Sequence, residues 1–380
     1  MIYLNNAATT WPKPKDVLEA VNECMATPPG NHARMGLEAE SEDIITSTRQ
    51  KLAKLFNTDD ILQIVFTSGS TEALNLALRG LDLKGRHVVS TSIEHNSVIR
   101  PLKTMEQEGI ITLDFAPCDY GGYVSPDAID ALITDNTAAV VVNHCSNVTG
   151  AVLDLKAISD VAHKRGCYFI VDASQSAGTL PIDLTNWNID LLAFTGHKSL
   201  YGLPGSGGLY INKGITLKPL KVGGTGVKSE ELLQPREMPL YCEAGTPNMP
   251  GIVSLNAGCG WIEKTGMDNI HTKKKRYWQY IFDELTQLEP VKVYYSKDHN
   301  SYSNFCFNIG DMVPEEVNYI LESSYDMQVR SGLHCAPLIL HHIDVHPWGT
   351  VRASPSYFTP EIEVEKFIDA IKEIVRTFVR

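Results

Sequence analysis

The chain has 380 residues, 43% of them hydrophobic and 21% charged, the composition of a globular protein with room for two or three domains. Its 33 basic residues stand against 45 acidic ones, a net charge of −12, which argues against nucleic acid or an anionic membrane as the main partner. No apolar run reaches membrane-spanning length, and the opening MIYLNNAATT lacks the basic and apolar regions of a signal peptide, so a cytoplasmic location is expected.

Residues 1–14, with Asn5, Asn6 and closely spaced threonines and prolines, read as an extended arm. Val17, Leu18 and Val21 at helical spacing predict a helix over Lys15–Met25. A Pro-Gly loop, PPGNHARMG, follows and carries His32 and Arg34. Ile44, Ile45, Leu52 and Leu55 mark one side of an amphipathic helix expected over Glu38–Phe56. Strands and helices then alternate. Strands are expected at Ile64–Thr67, Val88–Ser90, Ile111–Phe115, Ala138–Asn143, Tyr168–Val171 and Leu191–Phe194. Helices are expected at Thr71–Leu78, Val98–Gln107, Asp127–Ile133 and Ala157–Lys164. This rhythm predicts a mostly parallel sheet with helices on both faces, a large α/β domain over residues 15–250.

After Pro250 the pattern changes. Helices at Val253–Lys264 and Thr272–Leu288 precede strands at Val291–Tyr294 and Phe305–Ile309. A helix at Pro314–Ser323, a strand at Met327–Arg330 and a helix at Pro360–Val379 complete a smaller α+β domain over residues 251–380. The arm, residues 1–14, is expected to pack with this domain or across a dimer.

The strand at Tyr168–Val171 runs into Asp172, and that at Leu191–Phe194 into Thr195-Gly196-His197-Lys198. Open α/β sheets bind ligands at the carboxyl ends of their strands. A carboxylate at one such end and a lysine at another match pyridoxal phosphate. The lysine holds the aldehyde as a Schiff base, and the carboxylate keeps the pyridine nitrogen protonated. Singly, Asp172 reads equally as a helix cap and Lys198 as a surface lysine. Phe66–Glu72 is a strand end, a glycine turn and a helix opening, suited to a phosphate or to ordinary capping by Ser70 or Thr71. His95 offers a flat imidazole for stacking or proton transfer, or a structural histidine. Asn147 reads as a contact to the cofactor ring oxygen or to a substrate carboxylate, or as a turn asparagine. Gln175, three residues beyond Asp172, also comes within reach of the ring oxygen. Together the clusters converge on one sheet edge.

Eight cysteines, at 24, 118, 145, 167, 242, 259, 306 and 335, show no CxxC spacing, and most are expected to be reduced and inert. Cys335 differs. It lies in a loop bounded by Gly332 and Pro337, beside His334, where a nearby histidine or arginine favours the nucleophilic thiolate; an inert loop thiol is the other reading. His341, His342 and His346 fit no metal-ligand spacing, and no metal is expected.

YLNNAATT, FTSGSTEALN, EHNS, SNVTG, DASQSAG, FTGHKSLYG, EAGTPN, VRSGLHCAP and TVRAS occur in that order. In these motifs the chain resembles, from Tyr3 to its last helix, the class V aminotransferase-fold enzymes, in particular the cysteine desulfurases and selenocysteine lyases. The resemblance implies a pyridoxal phosphate enzyme of fold type I, with a sheet of the seven-stranded type in the large domain. It implies Lys198 as the Schiff-base lysine, Asp172 at the pyridine nitrogen and His95 stacked on the ring. Ser70, Thr71, Thr195 and His197 match the phosphate-binding positions, and Asn147 and Gln175 those at the ring oxygen and substrate. Arg352 matches the arginine that holds the substrate's α-carboxylate, in a bidentate geometry. Cys335 matches the persulfide-bearing cysteine. Thr246 matches a residue reaching the phosphate of the other subunit, which implies a homodimer.

The implied reaction takes L-cysteine to L-alanine, with the sulfur left on Cys335 for an acceptor protein. L-selenocysteine as substrate, or sulfur-independent chemistry on the same fold, are the alternatives. Asn5 stands where many relatives have aspartate, and Leu333 where some have a second histidine. The segment from Cys335 to Arg352 is short, as in the members of the family with a compact cysteine loop and a dedicated acceptor.

Overall fold

The computed structural model describes residues 1–28, 36–38, 40, 42–296 and 302–378; His32 and Arg34 lie outside the described residues. The arm contributes a two-residue strand, β1 (Ile2–Tyr3), and helices α1 (Lys15–Ala26) and α2 (Ile44–Leu55) follow. The main sheet is built from β2 (Ile64–Thr67), β3 (Arg86–Thr91), β4 (Ile111–Ala116), β5 (Thr137–Asn143), β6 (Tyr168–Asp172), β7 (Leu191–Thr195) and β8 (Gly207–Ile211). Their spatial order is β2-β8-β7-β6-β5-β3-β4. All neighbours are parallel except around β8, which runs antiparallel to both β2 and β7.

Unbroken aliphatic runs such as TAAVVVN in β5 and LLAFT in β7 are buried along their whole length, as strands covered on both faces must be. Alternate side chains serve different cores. Val89, Val140, Val142, Val171 and Phe194 pack into one cluster, and Val88, Ala139, Val141, Ile170 and Ala193 into the other. Between these strands run α3 (Ser70–Gly80), α4 (Asn96–Gln107), α5 (Pro126–Asp130) and α6 (Leu155–Lys164).

The remainder comprises α7 (Met249–Thr265), α8 (Met267–Leu285), β9 (Val291–Val293), β10 (Phe305–Ile309), α9 (Pro314–Tyr325) and β11 (Met327–Gln328), followed by β12 (Arg330–Gly332), α10 (Pro337–His342), β13 (Thr350–Ala353) and α11 (Glu361–Phe378). A four-stranded antiparallel sheet, ordered β12-β13-β10-β9, packs its own core around Phe305, Phe307, Val351 and Phe367. β1 pairs in parallel with β11, so the arm is tied to this part of the chain.

Two of the differences from expectation have identifiable physical reasons. The helix expected from Glu38 begins at Ile44, because the Asp43 side chain accepts the N–H groups of Ile45 and Thr46 at 2.8 and 2.9 Å and so caps it there. The single strand expected over Met327–Arg330 is split: β11 joins β1, while β12 joins the small sheet.

One buried ion pair ties α2 to the sheet. Arg49, 1% exposed, bonds both carboxylate oxygens of Glu243 at 2.7 Å, and its Nε and Nη1 donate to the carbonyls of Ile64 and Gly36. Glu243 in turn accepts the N–H of Phe66 at 2.6 Å. Removing the cation leaves a carboxylate without its counter-ion and takes a donor from each of two carbonyls. Arg49→Leu is therefore expected to cost about 3–5 kcal/mol in chemical denaturation; a loss under about 1 kcal/mol would show that the pair is replaceable.

Candidate active site

β5, β6 and β7 run in parallel register, with Asn143 opposite Asp172 and Asp172 opposite Ala193, so their carboxyl ends open at one level. The segments leaving these ends build a cavity of about 330 Å³. Ser70 and Thr71 enter from the start of α3, and His95 from the turn after β3. Asn147 follows β5, Asp172 ends β6 with Gln175 close behind, and Thr195, His197 and Lys198 end or follow β7. Arg352 comes from β13 across the gap. Ten residues singled out in the sequence thus meet in one cavity. Thr246 is not among them. It lines a neighbouring pocket that shares Ser68, Glu72 and Gly205 with the first.

The α3 end of the cavity is made for an anion. The first N–H groups of a helix have no acceptor within it and carry the positive end of its dipole. At the cap stands Gly69, with φ +145° and no side chain to occupy those donors. Gly207 lets the strand ends approach: a Cβ there would lie 2.5 Å from the Phe194 carbonyl and 2.6 Å from the Gly69 Cα. Glu72 reaches back to the Ser68 N–H at 2.7 Å. Burial brings His197 down to about 4, so its ring is neutral, and its buried Nδ1 has no partner.

At the centre, Asp172 is 4% exposed; its Oδ1 accepts the Ser174 N–H at 2.9 Å and the Ser174 hydroxyl. Burial lowers the amine of Lys198 to about 8; Arg352 and Arg330 push the same way, while Asp172 opposes them. Burial, and then the charge of Lys198, bring His95 down to about 4. The His95 Nδ1 accepts the Ser97 N–H at 3.1 Å, which puts the ring proton on Nε2. Gln175 donates to the Ala7 carbonyl at 3.0 Å, drawing the arm against the cavity wall.

The far wall is cationic. Arg330 and Arg352 are register partners on β12 and β13. Arg352, 1% exposed, donates to the Asn147 carbonyl at 2.7 Å and to the Asn5 Oδ1 at 3.1 Å, and its Nε has no partner. No carboxylate among the described residues neutralises it. Asn147 also donates from Nδ2 to the His334 carbonyl at 2.7 Å, while its Oδ1 is unpartnered.

Cys335 sits just beyond, half-buried, and Arg330 donates to its Sγ at 3.0 Å. The sequence leaves a histidine or an arginine as the neighbour of this thiol, with His334 adjacent in the chain. The structure assigns the contact to Arg330 instead. The His334 imidazole is 1% exposed, lies 2.9 Å from the Thr350 hydroxyl, and is held neutral by burial. Arg330 was legible only as the end of a strand, since nothing local indicates that its guanidinium folds onto a sulfur five residues later. Among the other cysteines, burial pushes the thiols of Cys145, Cys242, Cys259 and Cys306 up to about 12.

The family model for class-V aminotransferases matches residues 2–367. The chain belongs to that family. Among class-V relatives, it is 32% identical to a probable cysteine desulfurase of Methanothermobacter thermautotrophicus, over 98% of this chain and 94% of that one. It is equally 32% identical to a probable cysteine desulfurase of Pyrococcus abyssi, over 99% and 95%. The apo structure of the cysteine desulfurase from Thermococcus onnurineus NA1 superposes with a TM-score of 0.88 at 30% identity, covering 99% of this chain and 94% of that one. A cysteine desulfurase of Escherichia coli gives a TM-score of 0.88 at 26% identity, covering 98% and 94%.

The cavity's donor set fits pyridoxal phosphate. The N–H groups at the start of α3 suit a phosphate, Asp172 suits a protonated ring nitrogen, and Lys198 is an amine within reach of neutrality. Among the described residues no helix is long and apolar enough to cross a membrane.

Proposed function

We propose that the chain is a pyridoxal phosphate-dependent cysteine desulfurase that converts L-cysteine to L-alanine and leaves the sulfur on Cys335. The observation that carries this reading is the guanidinium of Arg330 on the Cys335 sulfur, at the edge of a cavity that also holds Lys198, Asp172 and Arg352. When bound, pyridoxal phosphate supplies an electron sink for the carbanion formed at the amino acid's α-carbon. In this reading Ser70, Thr71, Thr195 and His197 would take the phosphate, Asp172 would hold the proton on the ring nitrogen, and the neutral His95 ring would pack on the cofactor. Asn147 and Gln175 take the ring oxygen and the substrate's polar groups.

Arg352 binds the α-carboxylate, which supplies the counter-ion its buried guanidinium lacks. Lys198 moves the α-proton at its Nζ. The Cys335 thiolate attacks the substrate sulfur: an S–S bond forms, the C–S bond breaks, and its electron pair stays with carbon, which takes a proton and leaves as alanine. Arg330 holds the thiolate until attack.

A second copy of the chain completes the proposed site. Thr246 belongs to a segment whose Val222, Leu232 and Leu233 are 69%, 99% and 83% exposed, apolar surface that a partner subunit covers. Thr246 then serves the partner's phosphate. A cytoplasmic enzyme passing its persulfide to an acceptor protein fits the half-buried cysteine and the reducing compartment.

The cofactor reading has a pH signature. A lysine titrating at about 8 instead of near 10.5 is about one-tenth neutral at pH 7, rather than less than a thousandth. Only the neutral amine attacks an aldehyde. The rate at which the cofactor-free protein takes up pyridoxal phosphate should therefore rise about tenfold between about pH 6 and 7 and level off above about 8. A rate still climbing tenfold per unit near about pH 10 would refute it.

A further inference from the structure

We propose that Lys13, on the N-terminal arm, is a positioning residue that supplies the positive charge behind the phosphate end of the cavity, acting through the backbone of His197; this rests on the pyridoxal phosphate reading. Lys13 is half-buried between Pro12 and Pro14, and its Nζ donates to the His197 carbonyl at 2.8 Å. The same carbonyl accepts from the Thr9 hydroxyl and the Thr10 N–H, each at 3.1 Å, and the Thr10 hydroxyl donates to the Lys198 carbonyl at 2.9 Å. The arm thus delivers four donors to two consecutive carbonyls. Neutral groups suffice for most of that anchoring. The ammonium needs another reason to be there.

A charge census supplies one. Ser70, Thr71 and Thr195 are uncharged, and burial keeps His197 neutral. Arg330 is committed to Cys335, Arg352 to Asn147 and Asn5, and Lys198, the other cation whose charge reaches His197, to the aldehyde in the proposed reading. Lys221, in the neighbouring pocket, is balanced by Glu72 at 3.1 Å. A bound phosphate brings a charge of about −1.5 to −2. Lys13 has no acidic partner among the described residues, and although burial lowers it to about 8 it stays mostly protonated at neutral pH. An uncompensated cation bonded to the carbonyl of a residue that lines the anion site is worth about a factor of ten or more in phosphate affinity at the intermediate dielectric of a protein interior.

The test compares two aldehydes that differ only in the phosphate. Full-length wild type, Lys13→Met and Lys13→Arg, each stripped of cofactor, are titrated with pyridoxal phosphate and with pyridoxal by absorbance. Lys13→Met should bind pyridoxal phosphate about tenfold more weakly and pyridoxal within about twofold of wild type, with Lys13→Arg restoring most of the loss. Equal weakening towards both aldehydes would make Lys13 a purely structural anchor and overturn the proposal, as would unchanged affinity for pyridoxal phosphate. A wild type that binds neither aldehyde would overturn the cofactor reading along with it, a result told apart by the wild-type titration alone.

Discussion

With a thiol reductant present to discharge the persulfide, Cys335→Ala should abolish sulfide release from L-cysteine, by about a thousandfold or more, while the protein keeps its bound cofactor. The two halves of this expectation come from different parts of the structure. The thiol is the only group at the cavity edge that combines a nucleophilic sulfur with a cationic donor, among the described residues. Among the described residues, no side chain assigned to the cofactor hydrogen-bonds that sulfur. The cysteine loop is also held in a costly shape: His334 and Cys335 both have left-handed backbones, φ 50° and 58°, a conformation that costs about 1–3 kcal/mol per non-glycine residue unless its surroundings enforce it. Here the Asn96 N–H bonds the Cys335 carbonyl at 2.7 Å and Asn147 bonds that of His334. Alanine keeps that backbone and removes only the sulfur. Sulfide production by Cys335→Ala at the wild-type rate would make the thiol a bystander and favour the lyase alternative, in which the C–S bond is cleaved without a persulfide on Cys335.

Lys198→Ala should lower L-cysteine turnover by about 10³–10⁴-fold and leave the cofactor removable by dialysis. Lys198 is the amine at the cavity centre, facing Asp172 and the two arginines, and its lowered basicity serves both tasks assigned to it. It must be neutral to capture an aldehyde and basic enough to take a proton from carbon. A variant that holds pyridoxal phosphate through dialysis and still turns over would place the base elsewhere.

The parts of this protein most legible in its sequence are those where one short segment carries the whole signal. β5 and β7 announce themselves as aliphatic runs, and Asp172 and Lys198 each stand at or just past a strand end, where the sheet topology brings them together. β8 was not expected, because GGLYI opens on two glycines; the close approach of Gly207 to Phe194 and Gly69, which explains one of them, exists only in the folded chain. β13 was missed for the opposite reason. TVRA has a charged residue at its centre, and its burial is tolerable only because Asn147 and Asn5 come from distant segments to meet it. Arg330 and Lys13 share that obscurity. Each acts through a contact made by folding, onto a sulfur in one case and a carbonyl 184 residues away in the other.

The most direct test is to react the wild-type protein, loaded with pyridoxal phosphate, with L-cysteine in the absence of reductant, then measure alanine and the mass of the peptide containing Cys335. A cysteine desulfurase gives alanine in step with that peptide becoming heavier by one sulfur atom. Alanine formed while the Cys335 peptide keeps its mass, or with the extra sulfur on another cysteine, would contradict the proposed function.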